Sequence, residues 1–316
     1  MNNSLGSADV IVERNIEVPM RDGTVLRADI WRPDAAGQFP VLIERTPYDK
    51  TASSESSLGA GEYYASHGYV TVIQDVRGRF ASDGVFYPFR DDGDGENQDG
   101  YDTVEWAAAQ PWSNKKIGTI GGSYSGATQY RMLATQPPHL VAQFVRQSSS
   151  DYYIEWVYRS GVFEHGFNIS WTLKHASTNA VKLAPDGMED EVVTRLTKAS
   201  DDYQKWLEHV PISPLLPVAD LQDWFVDWMD HPNQGEYWNE FSIVRSHDRV
   251  DVPVHHFGSW YDCFLRGTIE NYVGMRSKAV NKQARSGQRL TIGPWVHNPS
   301  PADMRTSGEV DFGEQA

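Results

Sequence analysis

One serine sits where a nucleophile is commonly built. The stretch Ile117-Gly-Thr-Ile-Gly-Gly-Ser-Tyr-Ser-Gly-Ala runs a short β-branched segment into Ser123, and a helix-forming segment leaves it. A serine on so sharp a strand-to-helix turn has a strained backbone and an exposed hydroxyl, suited to attack on a carbonyl carbon. The turn crowds its neighbours, so the residues two before and two after the serine must be small. Here they are Gly121 and Ser125, with Gly126 next, so the usual G-x-S-x-G becomes G-x-S-x-S-G. The helix leaving Ser123 points its first amides back at the turn, where they can donate to an oxyanion. A purely structural glycine-rich turn fits the same letters. A phosphate-binding loop does not, because no lysine follows Gly126.

A serine hydroxyl is a weak nucleophile until a base removes its proton. On a strand–turn–helix scaffold of this kind the chain order is Ser, then Asp or Glu, then His. Phe257-Gly-Ser-Trp-Tyr-Asp places Asp262 just past an apolar run, and Leu290-Thr-Ile-Gly-Pro-Trp-Val-His places His297 just past the last one. Alone, such an aspartate reads as a turn or cap residue and such a histidine as a loop residue. The ordered set of three carries the argument. Of the other histidines, His255 and His256 are neighbours in a strand and face opposite ways. No His, Cys and carboxylate set has metal-ligand spacing, so no metal and no cofactor are expected. The acidic stretch Asp91–Gly100 lacks the calcium-loop spacing and reads as a solvated, helix-capping loop. Cys263, the single cysteine, has an acidic neighbour that disfavours its thiolate, and one cysteine excludes a disulfide framework.

The elements that must position these residues alternate. Val10–Pro33 reads as a hairpin about a Met20-Arg-Asp-Gly-Thr turn. Apolar, β-branched runs follow at 40–45, 69–74, 117–121 and 141–145, with helical stretches at 62–67, 99–109 and 126–135 between or after them. From about Asp151 the pattern becomes aromatic and helix-spaced, with six of the eleven tryptophans. Alternation resumes at Val252 with a strand, a helix near Phe264–Arg276 and a last strand at 289–293. The expectation is an α/β fold, a mostly parallel sheet flanked by helices. The core would be 1–150 and 251–316, with a helical cap inserted at 151–250.

The 316 residues carry 43 acidic against 28 basic side chains, a formal charge of −15. That repels nucleic-acid backbones and anionic membranes. No run approaches 18 apolar residues and the N-terminus has no basic head or apolar h-region, so the expectation is a cytoplasmic protein without a membrane partner. The oligomeric state, a homodimer included, stays open.

Several stretches together resemble one known family, the serine hydrolases that include bacterial cocaine esterase, X-prolyl dipeptidyl-peptidase and α-amino-acid ester hydrolase. They are Val18-Pro-Met-Arg-Asp-Gly-Thr-Val-Leu-Arg-Ala-Asp-Ile-Trp-Arg-Pro, Arg45-Thr-Pro-Tyr-Asp-Lys, Asp75-Val-Arg-Gly-Arg, Asp99-Gly-Tyr-Asp-Thr-Val-Glu-Trp, Gln110-Pro-Trp-Ser-Asn, Gly121-Gly-Ser-Tyr-Ser-Gly, Trp260-Tyr-Asp and Gly293-Pro-Trp-Val-His. The resemblance implies the α/β-hydrolase fold and acyl transfer from a small ester or amide substrate. Ser123 would be the nucleophile, His297 the general base and Asp262 its orienting acid. The Tyr124 N–H and the Tyr48 phenol would form the oxyanion hole, and Trp156, Trp171 and Phe264 would receive the acyl group. The family continues past a segment like Asp311-Phe-Gly-Glu-Gln-Ala316 into a C-terminal jelly roll, so the chain reads as a fragment of such a protein. Asp262 is followed by Cys263-Phe-Leu-Arg rather than an acidic cluster, which weighs against α-amino-acid esters. An X-Pro dipeptidyl-peptidase and a non-catalytic binding fragment stand as the alternatives.

Overall fold

The computed structural model describes residues 9–52, 60–212, 218–297, 305–307 and 309–314. The chain forms two compact units: Met1–Ser150 with Ile243–Ala316, and Asp151–Ser242. Residues 243–250, expected in the insertion, thus belong to the first unit. The aromatic run that marks the insertion ends at Phe241, and the boundary falls beside it.

The first unit is built on an eight-stranded sheet: β1 (Val10–Pro19), β2 (Val25–Pro33), β3 (Phe39–Thr46), β4 (Val70–Asp75), β5 (Ser113–Gly122), β6 (Leu140–Arg146), β7 (Val254–Tyr261) and β8 (Arg289–Val296). Their spatial order is β1-β2-β4-β3-β5-β6-β7-β8. The β1–β2 and β2–β4 pairs are antiparallel, and every other pair is parallel. This is the α/β-hydrolase arrangement. The β1–β2 hairpin closes at Gly23, whose φ of 85° suits glycine, and Asp22 accepts the Thr24 amide. All six residues of β4 are buried, as expected of a strand covered on both faces. Burying a Val or Ile side chain there contributes about 1.5–3 kcal/mol.

Helices α1 (Ala60–Ser66), α2 (Asp99–Ala108), α3 (Tyr124–Met132), α4 (Leu265–Lys278) and α5 (Lys282–Gly287) accompany the sheet. Every residue of α3 is buried, so the helix after Ser123 is a core element rather than an amphipathic one. The parallel strands all run the same way, so Thr46, Asp75, Ser123, Arg146, Asp262 and His297 come at or just past their carboxyl ends. Ligands of open α/β sheets gather at that edge.

The second unit is helical, with helices His165–Ser177, Glu189–Asp201 and Asp223–Asp230 as its longest elements. Its core is aromatic: the ring of Trp171 lies 5.5 Å from Trp156 and 5.6 Å from Trp224, which is 4.6 Å from Trp228. A single π-turn, Tyr153–Val157, carries Trp156. The Asn168 amide donates to the carbonyls of Trp156 and Val157, both at 3.1 Å, and steadies that irregular turn. Among the described residues no helix is long and apolar enough to cross a membrane.

Candidate active site

Strand β5 ends in glycines because the turn beyond it leaves no room. Ser123 has φ 56° and ψ −121°, a region L-residues rarely occupy and one that stores of order 1–3 kcal/mol. A Cβ on Gly121 would come within 2.6 Å of the Ser125 Cβ, and one on Gly126 within 2.7 Å of the Ser148 Cβ. The strain is held by hydrogen bonds at both ends of the serine. Its N–H donates to the Arg146 carbonyl at 3.0 Å, and its carbonyl accepts from the Ser148 hydroxyl at 3.0 Å and from the Gly126 and Ala127 amides.

The hydroxyl so presented meets the imidazole of His297: Oγ lies 2.9 Å from Nε2. On the other side of the ring, Nδ1 lies 2.7 Å from Asp262 Oδ1. Ser123 and Asp262 are buried, whereas the His297 side chain keeps 28% of its exposure and can reach solvent. Asp262 Oδ1 also accepts the Phe264 amide at 3.2 Å and the Cys263 thiol at 3.6 Å. Its Oδ2 is buried with no hydrogen-bond partner among the described residues. An under-satisfied buried carboxylate is costly. It would gain most from a positive charge on the imidazole beside it. The donor atoms of Asp262, Cys263 and His297 lie within 4.8 Å of one another, but the Asp262 and His297 atoms are committed to each other.

Tyr48 lies on the loop after β3, with its ring 6.5 Å from that of Tyr124 and perpendicular to it. Thr46 Oγ1 accepts the Tyr48 amide, and the buried Arg79 guanidinium donates to the Pro47 carbonyl at 3.0 Å. Asp75, at the end of β4, accepts the Lys50 amide at 2.7 Å. Burial pulls Arg79 down to about 10, with Tyr124, Asp75 and Tyr48 opposing that pull, so the group stays cationic at neutral pH. A fixed cation near both tyrosines favours negative charge in their neighbourhood. The Tyr124 phenol is otherwise used: it accepts the Phe89 amide at 2.9 Å and stacks on the Phe89 ring.

Phe264 packs edge-on to His297 with ring centroids 5.3 Å apart. Trp156 and Trp171 are buried in the second unit. Sequence reasoning missed Arg79 and Lys50, which appeared only as letters of the stretches that carry the family resemblance, and Glu44, whose buried carboxyl on β3 is hydrogen-bonded to Ser125 and pushed up by burial. The two-residue offset between Gly121, Ser123 and Ser125 signalled crowding, yet nothing in the pattern pointed from β3 to Ser125.

Residues 22–299 match the family model of the X-Pro dipeptidyl-peptidase (S15) family. Cocaine esterase of Rhodococcus sp. (strain MB1 Bresler) is 32% identical over 295 residues, which cover 91% of this chain and 49% of that protein. The chain therefore spans about half the length of that relative. Among solved structures, an aminopeptidase from the marine sediment archaeon Thaumarchaeota archaeon superposes with a TM-score of 0.73 at 20% identity, covering 99% of this chain and 53% of the other. A CocE/NonD family hydrolase from Staphylococcus aureus gives 0.66 at 24%, covering 90% and 46%. At these identities the structures speak for the fold, while the family match spans most of the chain: this chain belongs to the X-Pro dipeptidyl-peptidase (S15) family.

Proposed function

We propose that the chain carries a serine hydrolase site that cleaves esters through an acyl-enzyme. One observation carries this: Ser123 Oγ, His297 and Asp262 form a continuous hydrogen-bonded line, 2.9 Å and 2.7 Å per link, at the carboxyl edge of the sheet. His297 Nε2 accepts the Ser123 proton as the oxygen attacks the carbonyl carbon. Asp262 holds Nδ1–H and offsets the positive charge on the ring. The Tyr124 N–H and the Tyr48 phenol stabilise the tetrahedral oxyanion, with the Arg79 cation behind them. His297 then protonates the leaving oxygen, and water, deprotonated by the same imidazole, releases the acid. Phe264, beside His297, receives the acyl group. The substrate is a small-molecule ester, and no metal or cofactor takes part in these steps.

Ser123→Ala tests the reading. Turnover of a p-nitrophenyl ester and labelling by a fluorophosphonate should both vanish while the circular dichroism spectrum stays that of the parent. Near-parent turnover would remove Ser123 from its role. The family match supports a second reading, release of X-Pro dipeptides. Comparing an Ala-Pro anilide with a simple aryl ester separates the two.

A further inference from the structure

We infer that Gln147, just past β6, is the positioning residue that sets the His297 imidazole against the Ser123 hydroxyl. The inference rests on the catalytic reading of Ser123, His297 and Asp262 above and adds a group that none of those steps uses.

The base hangs from the end of an irregular strand. Gly293 of β8 pairs with Ser259 of β7, and Val296 pairs with Tyr261, so two residues of β8 face one of β7 between those pairs. That is a one-residue bulge, a device that re-aims the side chains beyond it. One of the two residues of β8 in the bulge is Pro294, which has no N–H to give the ladder. The ladder alone therefore fixes the last turn of backbone before His297 poorly. The Gln147 side chain supplies what is missing. Its Nε2 donates to the Val296 carbonyl at 2.6 Å, one peptide before the base, and to the Ser259 hydroxyl at 2.6 Å. The Ser259 carbonyl in turn accepts the Asp262 amide at 3.2 Å. One planar amide thus spans the strand that carries the acid and the strand that carries the base.

The same short segment also holds the nucleophile. The Arg146 carbonyl takes the Ser123 N–H, and the Ser148 hydroxyl donates to the Ser123 carbonyl. The Gln147 N–H donates to the Phe257 carbonyl at 2.7 Å, which anchors the segment to β7. Residues 146 to 148 therefore touch the backbone of all three strand ends from which Ser123, Asp262 and His297 project. Gln147 itself is buried and sits at φ 46°, a left-handed conformation uncommon for a residue other than glycine. Strain kept at a buried polar residue that joins three functional loops is the kind of outlier that points to a positional role.

The test uses two variants of the full chain. Gln147→Met keeps the length of the side chain and removes both donors. Gln147→Glu keeps the shape, lets the Ser259 hydroxyl donate to the carboxylate, and places an acceptor against the Val296 carbonyl. On the pH plateau of an aryl ester assay, both variants should lose kcat by about 10- to 100-fold, the cost of a reacting group displaced by a fraction of an ångström to an ångström. KM should stay within about twofold. The second-order rate of fluorophosphonate labelling, counted per folded chain, should fall by the same factor as kcat. A residue that only held strands together would lower the unfolding midpoint and leave both rates per folded chain unchanged. If the methionine variant does not fold, the glutamate variant alone decides. A kcat and labelling rate within twofold of the parent in a folded variant overturns the inference while leaving the Ser123 reading intact. A parent that the probe does not label overturns both.

Discussion

Two glycines that flank Ser123 and one distant from it allow backbone strain and crowding to be separated by experiment. Three alanine substitutions isolate the terms. At Gly68 φ is +84° and nothing lies within 4 Å of the added carbon, so Gly68→Ala meets strain alone. Gly126 has no left-handed φ, but its new Cβ would lie 2.7 Å from the Ser148 Cβ and 3.0 Å from a Val145 methyl, so Gly126→Ala meets crowding alone. Gly121→Ala meets both: φ is +134°, and the new carbon would lie 2.6 Å from the Ser125 Cβ and 3.2 Å from the Ser125 carbonyl oxygen. Because Ser125 sits in the first turn of a helix buried along its whole length, it has little freedom to retreat.

Left-handed strain costs of order 1 kcal/mol at an open site and up to about 3 at a constrained one, and overpacking a full core costs about 1–3 kcal/mol. The expected order of destabilisation is therefore Gly68→Ala at about 1 kcal/mol, Gly126→Ala at about 1–3, and Gly121→Ala at about 2–6. The last is a large part of the 5–15 kcal/mol that holds a typical domain together. Urea unfolding followed by tryptophan fluorescence reads the order. The kinetic order should differ. Gly68→Ala should keep kcat, whereas Gly121→Ala and Gly126→Ala should each lose about 10- to 100-fold by shifting the Ser123 oxygen from Nε2. Gly121→Ala with a midpoint no lower than that of Gly68→Ala, and with kcat within twofold of the parent, would refute the crowded-turn account.

Three further outcomes are expected. Tyr48→Phe should lower kcat by about 10²–10³-fold with the unfolding midpoint unchanged, and an unaltered kcat reassigns the second oxyanion donor. Asp262→Asn should lower kcat by roughly 10⁴-fold while labelling of Cys263 by a thiol reagent shows the loop in place; a loss below tenfold would remove the acid from its role. Burial pulls His256 down to about 4, with the neighbouring His247 and His255 acting the same way, while the unfolded chain titrates near the ordinary 6.5. Its contribution of about 3 kcal/mol at most is thus complete above pH 6.5 and fades as the pH falls towards 4. His256→Gln should flatten that slope, and identical slopes in parent and variant would exclude it.

The legible part of the molecule was the part written in local pattern. Strand β4 was visible because a strand covered on both faces must be apolar throughout, and the serine turn because crowding forces small residues at fixed offsets. The Ser, Asp, His order was readable because each follows a strand in an open sheet. The end of the helical insertion was harder, because Ile243–Arg249 is a polar 3₁₀ segment without the period of a helix or a strand. Gln147 was illegible for a different reason. Its partners, Ser259 and Val296, stand 112 and 149 residues away, and a lone glutamine after a strand has no periodicity or spacing to betray it.

The stretch Asp75-Val-Arg-Gly-Arg79 shows what such distant pairing accomplishes. Asp75 takes the Lys50 amide and lies 3.4 Å from its ammonium, Arg77 forks onto Asp99 at 2.6 Å and 3.0 Å, and Arg79 holds the Pro47 carbonyl. Gly78 between them has φ +69°, and a Cβ there would lie 2.1 Å from the Phe86 nitrogen. Buried pairs of this kind gain little over an apolar core of equal volume, since desolvation offsets most of the attraction. An apolar core would hold the loop after β3 by volume, which tolerates sliding. Directional hydrogen bonds to the Pro47 carbonyl and from the Lys50 amide fix the peptide plane just before Tyr48 and the one that follows Asp49. In the oxyanion role proposed for it, the Tyr48 phenol would have to lie within about 3 Å of the charged oxygen, and that calls for directional hold more than for added stability.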